Sequence, residues 1–184
     1  TGGGTDETAQ PLTFTLSGYN KALFAVEPTL TSAGKLTFTP AKDANGFTDV
    51  TVSLSDGNSA VTDSFRIVVR AVNDQPGFTM GSDQQTLEDS GPHTLVGWAK
   101  DISVGPDNES SQTHAFTVEN DNTALFAPDG QPTLTADGTL SYTAADNANG
   151  VATVTVTLAD NGGTENHGVD VSESRTFTIT VLPV

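Results

Sequence analysis

Asn73 and Asp74 stand side by side in Val72-Asn73-Asp74-Gln75-Pro76. An alternating apolar run ends there, and a proline, which lacks a backbone donor and stiffens its predecessor, stops regular structure. Other oxygen-bearing side chains recur in turns on either side: Asp43 and then Asp49, later Asp101, Asp107 and Glu109 in one stretch, and Asp160 at the head of Asp160-Asn161-Gly162-Gly163. A hard divalent cation takes about six to eight oxygens from carboxylates, carboxamides and carbonyls, and calcium suits such a set best. No continuous EF-hand loop is present, so the donors must be gathered from separate loops. Asp and Asn also favour turns for their own sake, which leaves a plain solvated surface open as the other reading.

Composition narrows the alternatives. Asp and Glu number 23 against 7 Lys and Arg, a formal net charge of -16 that argues against nucleic acid or an anionic membrane as partner and invites cations. With no Cys there is neither a disulfide staple nor thiolate chemistry. No apolar run reaches the roughly 18 residues of a bilayer span, so membrane insertion is not expected. No targeting signal is evident, and the chain is expected to begin and end inside a longer one. His93, His114 and His167 lack metal-ligand spacing, and no Gly-x-Ser-x-Gly elbow occurs, so an enzyme is not expected. Trp98 reads as a core lid or as a sugar-stacking ring. The second sense, with Tyr19 or Tyr142 as further platforms, defines the alternative function of a carbohydrate-binding module. Residues 161–173 form the most individual loop and the favoured surface for a partner.

These turns are positioned by a repeat. Ala22-Leu23-Phe24-Ala25 returns as Ala124-Leu125-Phe126-Ala127, Pro28-Thr29-Leu30-Thr31 as Pro132-Thr133-Leu134-Thr135, and Ala44-Asn45-Gly46 as Ala148-Asn149-Gly150. The offset is 102 at Phe24, 104 at Asn45 and 112 at Phe65, so the second copy carries two insertions, the larger in residues 161–173. A period near 100 suits a string of independent domains, here residues 1–74 and 75–184. Each copy alternates apolar and polar residues, as in Val50, Val52, Leu54 and Phe65, Ile67, Val69 against Val154, Val156, Leu158 and Phe177, Ile179, Val181. That period marks half-buried strands, and the dipeptides Asn45-Gly46, Asp56-Gly57, Asp137-Gly138 and Asn149-Gly150 between them are turns of antiparallel sheets. The fold class expected is all-β: two tandem Ig-like sandwiches of two packed sheets, with no helix.

The copies are not equally complete. Copy 2 shows seven strands, starting at Gln85-Thr86-Leu87 and Thr94-Leu95-Val96-Gly97-Trp98. Copy 1 begins at the counterpart of the loop after the second strand, because Glu7 and Gln10 match Glu109 and Gln112. Domain 1 is therefore expected to lack its first two strands, leaving an exposed sheet edge or a strand to be borrowed. Counting strand directions sorts the loops to two ends. Glu88-Asp89 falls at the bottom of copy 2; Asp101 to Glu109 and Asp160 fall at its top, beside Asn73 and Asp74. Asp43, and with it Asp49, falls at the bottom of copy 1, facing the same seam. Like-charged carboxylates repel, so a cation there would lock a joint that is otherwise loose.

The stretch from Asn45-Gly46 through Val50-Thr51-Val52-Ser53-Leu54-Ser55-Asp56-Gly57 and Phe65-Arg66-Ile67-Val68-Val69 to Val72-Asn73-Asp74-Gln75-Pro76, followed by Leu87-Glu88-Asp89-Ser90-Gly91, resembles the tandem cadherin-like repeats of large bacterial surface adhesins. The likeness covers nearly the whole chain. It implies all-β Ig/cadherin-like Greek-key sandwiches of seven strands, Ca2+ at the junctions, and a structural and adhesive role on the bacterial cell surface. Neighbouring repeats of the same chain, and a homophilic or carbohydrate ligand, are the implied partners. Animal cadherin linkers read Asp-x-Asn-Asp-Asn-x-Pro. This chain keeps Asn73 and Asp74 but has Ala71 and Gln75 at the flanking ligand positions and Pro76 one place early, which implies one or two ions rather than three.

Overall fold

The computed structural model describes residues 11–184, so Glu7 and Gln10 lie outside the described residues. The chain divides into two compact units, Thr1–Ala71 and Val72–Val184.

Unit 1 contains β1 (Thr13–Ser17), β2 (Phe24–Leu30), β3 (Leu36–Pro40), β4 (Gly46–Ser55) and β5 (Ala60–Val69). They form a three-stranded sheet β1-β4-β5 and a ribbon β2-β3. The period-two pattern sets the register, with Val50 opposite Phe65 and Val52 opposite Asp63. Leu23, Phe24, Val50 and Ile67 form the buried core, with Leu16, Tyr19, Phe65 and Val69 half-covered around it. Five strands are described where a full sandwich has seven.

Unit 2 contains β6 (Gly77–Thr79), β7 (Gln84–Leu87), β8 (Pro92–Leu95), β9 (Lys100–Ser103), β10 (His114–Asn120), β11 (Thr133–Leu134), β12 (Leu140–Thr143), β13 (Gly150–Asp160) and β14 (Arg175–Leu182). One sheet runs β10-β13-β14-β7 and the other β11-β12-β8, and only the β7–β14 pair is parallel. Residues of both sheets share one core, in which Leu140, Val154, Val156 and Ile179 are wholly buried. That is the two-sheet Ig-like architecture, and no α-helix occurs among the described residues.

Three sequence expectations need correction. Asp101 lies in β9, which pairs with β6, and not in a loop; neither strand alternates long enough to be read from its pattern. β8 stops at Leu95, because the chain turns at Gly97 with φ 66°. Asp49 is spent in a paired fork with Arg66, Nε to Oδ1 at 2.8 Å and Nη2 to Oδ2 at 3.0 Å, and is no free donor for a metal.

Candidate metal centre

The upper end of unit 2 is built by three segments. β13 runs out at Asp160, whose Oδ1 accepts the Gly162 N–H at 2.9 Å, an Asx turn that holds the carboxylate at the sheet end. Asn161 ties this turn to the start of β10, accepting from Thr113 N at 2.9 Å. A short 3₁₀ turn at Asp107–Glu109 delivers Glu109, and Gln112 follows it with its N–H on the Glu109 carbonyl at 2.9 Å.

Asn73 enters between these segments and is buried. Its Nδ2 donates to Asp160 Oδ1 at 2.9 Å and to the Val169 carbonyl at 2.8 Å, while its Oδ1 accepts from Gln112 Nε2 at 2.7 Å. The Val169 N–H returns to the Asn73 carbonyl at 3.1 Å. The next backbone N–H, of Asp74, donates to both oxygens of the buried Glu109 carboxylate at 3.1 and 3.2 Å. Two glycines permit this approach: a Cβ on Gly162 would overlap Asn73 Oδ1, and one on Gly105, where φ is also +138°, would overlap Glu109 Oε2.

One feature of this network is incomplete. Asp160 Oδ2 and Gln112 Oε1 are buried and accept no hydrogen bond. Buried acceptors left so cost about 1–3 kcal/mol each, and more when charged. Within unit 2 no described side-chain cation pairs with Asp160 or Glu109; the ion pairs described, Lys21–Glu27, Lys42–Asp43 and Arg66–Asp49, are all in unit 1. The donor set is all oxygen, which matches a hard cation. Among the described residues no three His, Cys, Asp or Glu side chains are gathered closely enough to hold a metal by themselves, so carboxamide oxygens and carbonyls would have to complete any coordination.

The structure thus brings together Asn73, Asp74, Glu109 and Asp160 of the residues read from the sequence. Asp101 stands apart, accepting from Thr79 Oγ1 at 2.9 Å. Asp107 is exposed at the start of the 3₁₀ turn, and Asp43, in unit 1, is paired with Lys42 at 2.8 Å. Gln112, Gly105, Gly162 and the Val169 carbonyl join the site beyond the residues that the sequence marks. The Glu-x-x-Gln spacing was the available signal for Gln112, whereas a carbonyl acceptor leaves none.

The rings proposed as sugar platforms are mostly inside. Trp98 is buried with its centroid 4.4 Å from that of Phe177, and donates through Nε1 to the Ser82 carbonyl at 3.0 Å. Tyr142 is buried too, which pushes its hydroxyl pKa up. Tyr19 is half-buried, its hydroxyl on Glu27 at 2.7 Å.

Comparison with solved structures places the same architecture in cadherin repeats. Human protocadherin-24 EC1-2 aligns over 97% of this chain and 84% of its own, at 18% identity and a TM-score of 0.57. Mouse protocadherin-24 EC1-3 aligns over 94% of this chain and 55% of its own, at 15% identity and a TM-score of 0.54. At these identities the likeness is one of fold. No curated protein matches by sequence. Residues 73–181 match the family model of a bacterial Ig domain, well over half the chain. This stretch starts at Asn73, the residue about which the network is built, and the chain belongs to the bacterial Ig domain family.

Proposed function

We propose that the protein is a structural and adhesive repeat of a bacterial cell-surface protein, and that calcium bound beside Asn73 and Asp74 stiffens the chain where its two units join. The observation that carries the metal reading is the pair of buried, unpartnered acceptor oxygens, Asp160 Oδ2 and Gln112 Oε1, next to the buried Glu109 carboxylate. A divalent cation would supply the positive charge this oxygen set lacks. Asp160, Glu109 and Gln112 would hold it; Asp74 and Asp107, whose side chains are exposed on the same segments, would add charge from outside. Asn73 has its side-chain atoms engaged by Gln112, Asp160 and Val169, so its part is to hold Asp160 in place. Asp43 of unit 1 and Asp101 of β9 belong to the same proposal as outer contributors. Ordering of the 72–74 segment would follow from this binding, because the Asn73 side chain bonds Asp160 and Gln112 and the Asp74 N–H bonds Glu109. Carbohydrate recognition is the weaker reading, since two of its three rings are covered.

The test is calcium titration followed by calorimetry and melting, with Asp160→Asn and Glu109→Gln as variants. Extracellular modules of this kind bind in roughly the 10⁻⁴–10⁻³ M range, so millimolar calcium should raise the melting temperature of unit 2 and both substitutions should abolish the shift. Scattering with and without calcium reads the stiffening separately. If chelator and millimolar calcium give the same melting curve, the metal reading is wrong; if Asp43→Asn or Asp101→Asn leaves the affinity unchanged, that residue is no contributor.

A further inference from the structure

The residues that copy 2 adds between its last two strands do not hang free. In unit 1, β4 turns into β5 through residues 56–59, where Asp56 Oδ1 accepts the N–H groups of Asn58 and Ser59 at 2.9 and 2.7 Å. In unit 2 the chain leaves β13 at Asp160 and first doubles back along it. The Asp160 N–H donates to the Asp170 carbonyl at 2.9 Å, the Ser172 N–H to the Leu158 carbonyl at 2.8 Å, and the Leu158 N–H to Ser172 Oγ at 2.9 Å. Ala159 and Val171 form an antiparallel bridge. The returning arm is thereby fixed to the sheet.

Carbonyls alternate along an extended chain, so while Asp170 faces β13, Val169 and Val171 face the other way, toward the segment by which the chain enters unit 2. The Val169 N–H donates to the Asn73 carbonyl at 3.1 Å, Asn73 Nδ2 to the Val169 carbonyl at 2.8 Å, and Gln75 Nε2 to the Val171 carbonyl at 3.0 Å. Both pairs are 96 residues apart, so residues 73–75 and 169–171 run parallel. The seat is shaped to Asn73: a Cβ on Gly162 would overlap its Oδ1, and one on Gly168 would stand 2.9 Å from its Cβ and 3.0 Å from its N. The tip of the arm is strained, because Asn166 and His167 take left-handed backbone, φ 55° and 73°, which residues with a side chain seldom adopt. Such a conformation persists where its surroundings hold it.

Tension entering unit 2 at Val72 meets these bonds first. Behind them lies a stronger joint: β7 runs parallel to β14 from Gln84 to Leu87, extended by the Glu88 N–H on the Leu182 carbonyl at 2.8 Å and the Thr178 N–H on Asp83 Oδ1 at 2.7 Å. On that joint Ile179 and Val181 are buried, whereas Gln75, Val169 and Val171 are exposed. Water reaches the bonds of the arm, and a short exposed patch opens at lower cost than a ladder seated on the core. Asn73 also holds Asp160, and the Asp74 N–H holds Glu109, so withdrawal of this segment parts the oxygens of the candidate metal centre.

We infer that the arm formed by residues 161–173 is a tension-sensitive latch: a pull at Val72 draws residues 73–75 out of it and takes apart the Asp160–Glu109 oxygen site while both sheets of unit 2 stay folded. The latch stands on the hydrogen bonds alone, and its consequence for calcium rests on the metal reading proposed above. On that reading calcium adds to a hold that the arm already supplies. Binding to the closed form resists opening, and opening lowers the affinity to the same degree, because the coupling is reciprocal. The turn at residues 56–59 is too short to supply such an arm to unit 1.

The chain has no Cys, so Val72→Cys and Val184→Cys, both at exposed positions, give unique handles for pulling the full chain through unit 2 alone. In chelator, a short reversible step of up to about 14 Å, the length of four residues set free, should precede unfolding of the sheets. Gln75→Ala should bring that step to lower force and, without load, speed hydrogen exchange of the Val169 N–H about fivefold while leaving Ile179 unchanged. Gly168→Ala, whose Cβ crowds Asn73, should act in the same direction. Asp83→Ala, which takes the acceptor from the Thr178 N–H, should weaken the later step only. Unfolding in a single step, or a first step indifferent to both Gln75→Ala and Gly168→Ala, overturns the latch. A first step that is present in chelator and unmoved by millimolar calcium overturns the metal reading and leaves the latch; a melting temperature raised by calcium with no first step under load does the reverse.

Discussion

Equivalent positions in the two units carry nearly the same residues and sit in different surroundings. Leu140, Val156, Leu158 and Val181 are fully or almost fully buried, while Leu36, Val52, Leu54 and Val69 are only half-covered. The compared positions are apolar in both. The difference lies in what stands opposite: unit 2 has β7, β8 and Trp98 over its sheets, and the described part of unit 1 has none of these. A hydrophobic pattern therefore specifies which face turns inward, and neighbouring strands decide how much water that face loses.

Truncating the same leucine in each unit gives the largest expected contrast. Leu140→Ala removes a wholly buried side chain and should cost about 2–5 kcal/mol, read as a lower denaturant midpoint for unit 2. Leu36→Ala should cost less than about half as much, because water already reaches that side chain. Equal losses would break the comparison. Next in size is Asn73→Ala, which leaves Gln112 Nε2 and the Val169 carbonyl without their partner and takes a donor from Asp160. It should cost about 1–3 kcal/mol in unit 2 and leave the unfolding of unit 1 unmoved.

Much of this was legible beforehand because alternation and turn dipeptides are local signals. The offsets placed Val154 and Ile179 on the core face, and counting strand directions put Asp160 and Glu109 at the end where Asn73 enters. What escaped depended on partners distant in the chain. Gly77–Thr79 and Lys100–Ser103 are strands only through each other, so local pattern places Asp101 in a loop. Spacing alone leaves Asp49 a possible metal donor, because its partner Arg66 sits across the ladder and only the pairing reveals it. Trp98 ends in the core because Phe177 from the last strand meets it, a contact no window around residue 98 contains.

A smaller effect sharpens the contrast at the lower loops. Glu88→Ala removes acceptors for Asn149 Nδ2 and Val184 N–H and should cost unit 2 about 0.5–1.5 kcal/mol. Asn45→Ala, at the position of Asn149, should stay within about 0.5 kcal/mol, since no described residue accepts from the Asn45 side chain. Chemical denaturation of the two single variants reads both.

The smallest effect concerns the outer face of the long strands. Asp49 lies opposite Arg66 in unit 1, and the repeat offsets put Thr153 opposite Thr178 at the same rungs of unit 2. The Arg66 guanidinium holds the Asp49 carboxyl below its ordinary range. A carboxyl with a lower pKa folded than unfolded adds stability above the unfolded value, near 3.9, and loses it as pH falls through the folded value. The melting temperature of unit 1 should thus exceed that of its Asp49→Asn variant slightly at pH 6, and the gap should close below about pH 4. Salt at about 1 M should narrow it at pH 6, because both side chains are solvent-exposed. Arg66→Ala should lower the melting temperature further than Asp49→Asn and resist salt more, because the guanidinium also lies 4.3 Å over the exposed Phe47 ring. A gap between wild type and Asp49→Asn that widens in acid would mean that the charged fork does not stabilise unit 1. The two units would then differ on that face in side-chain chemistry alone.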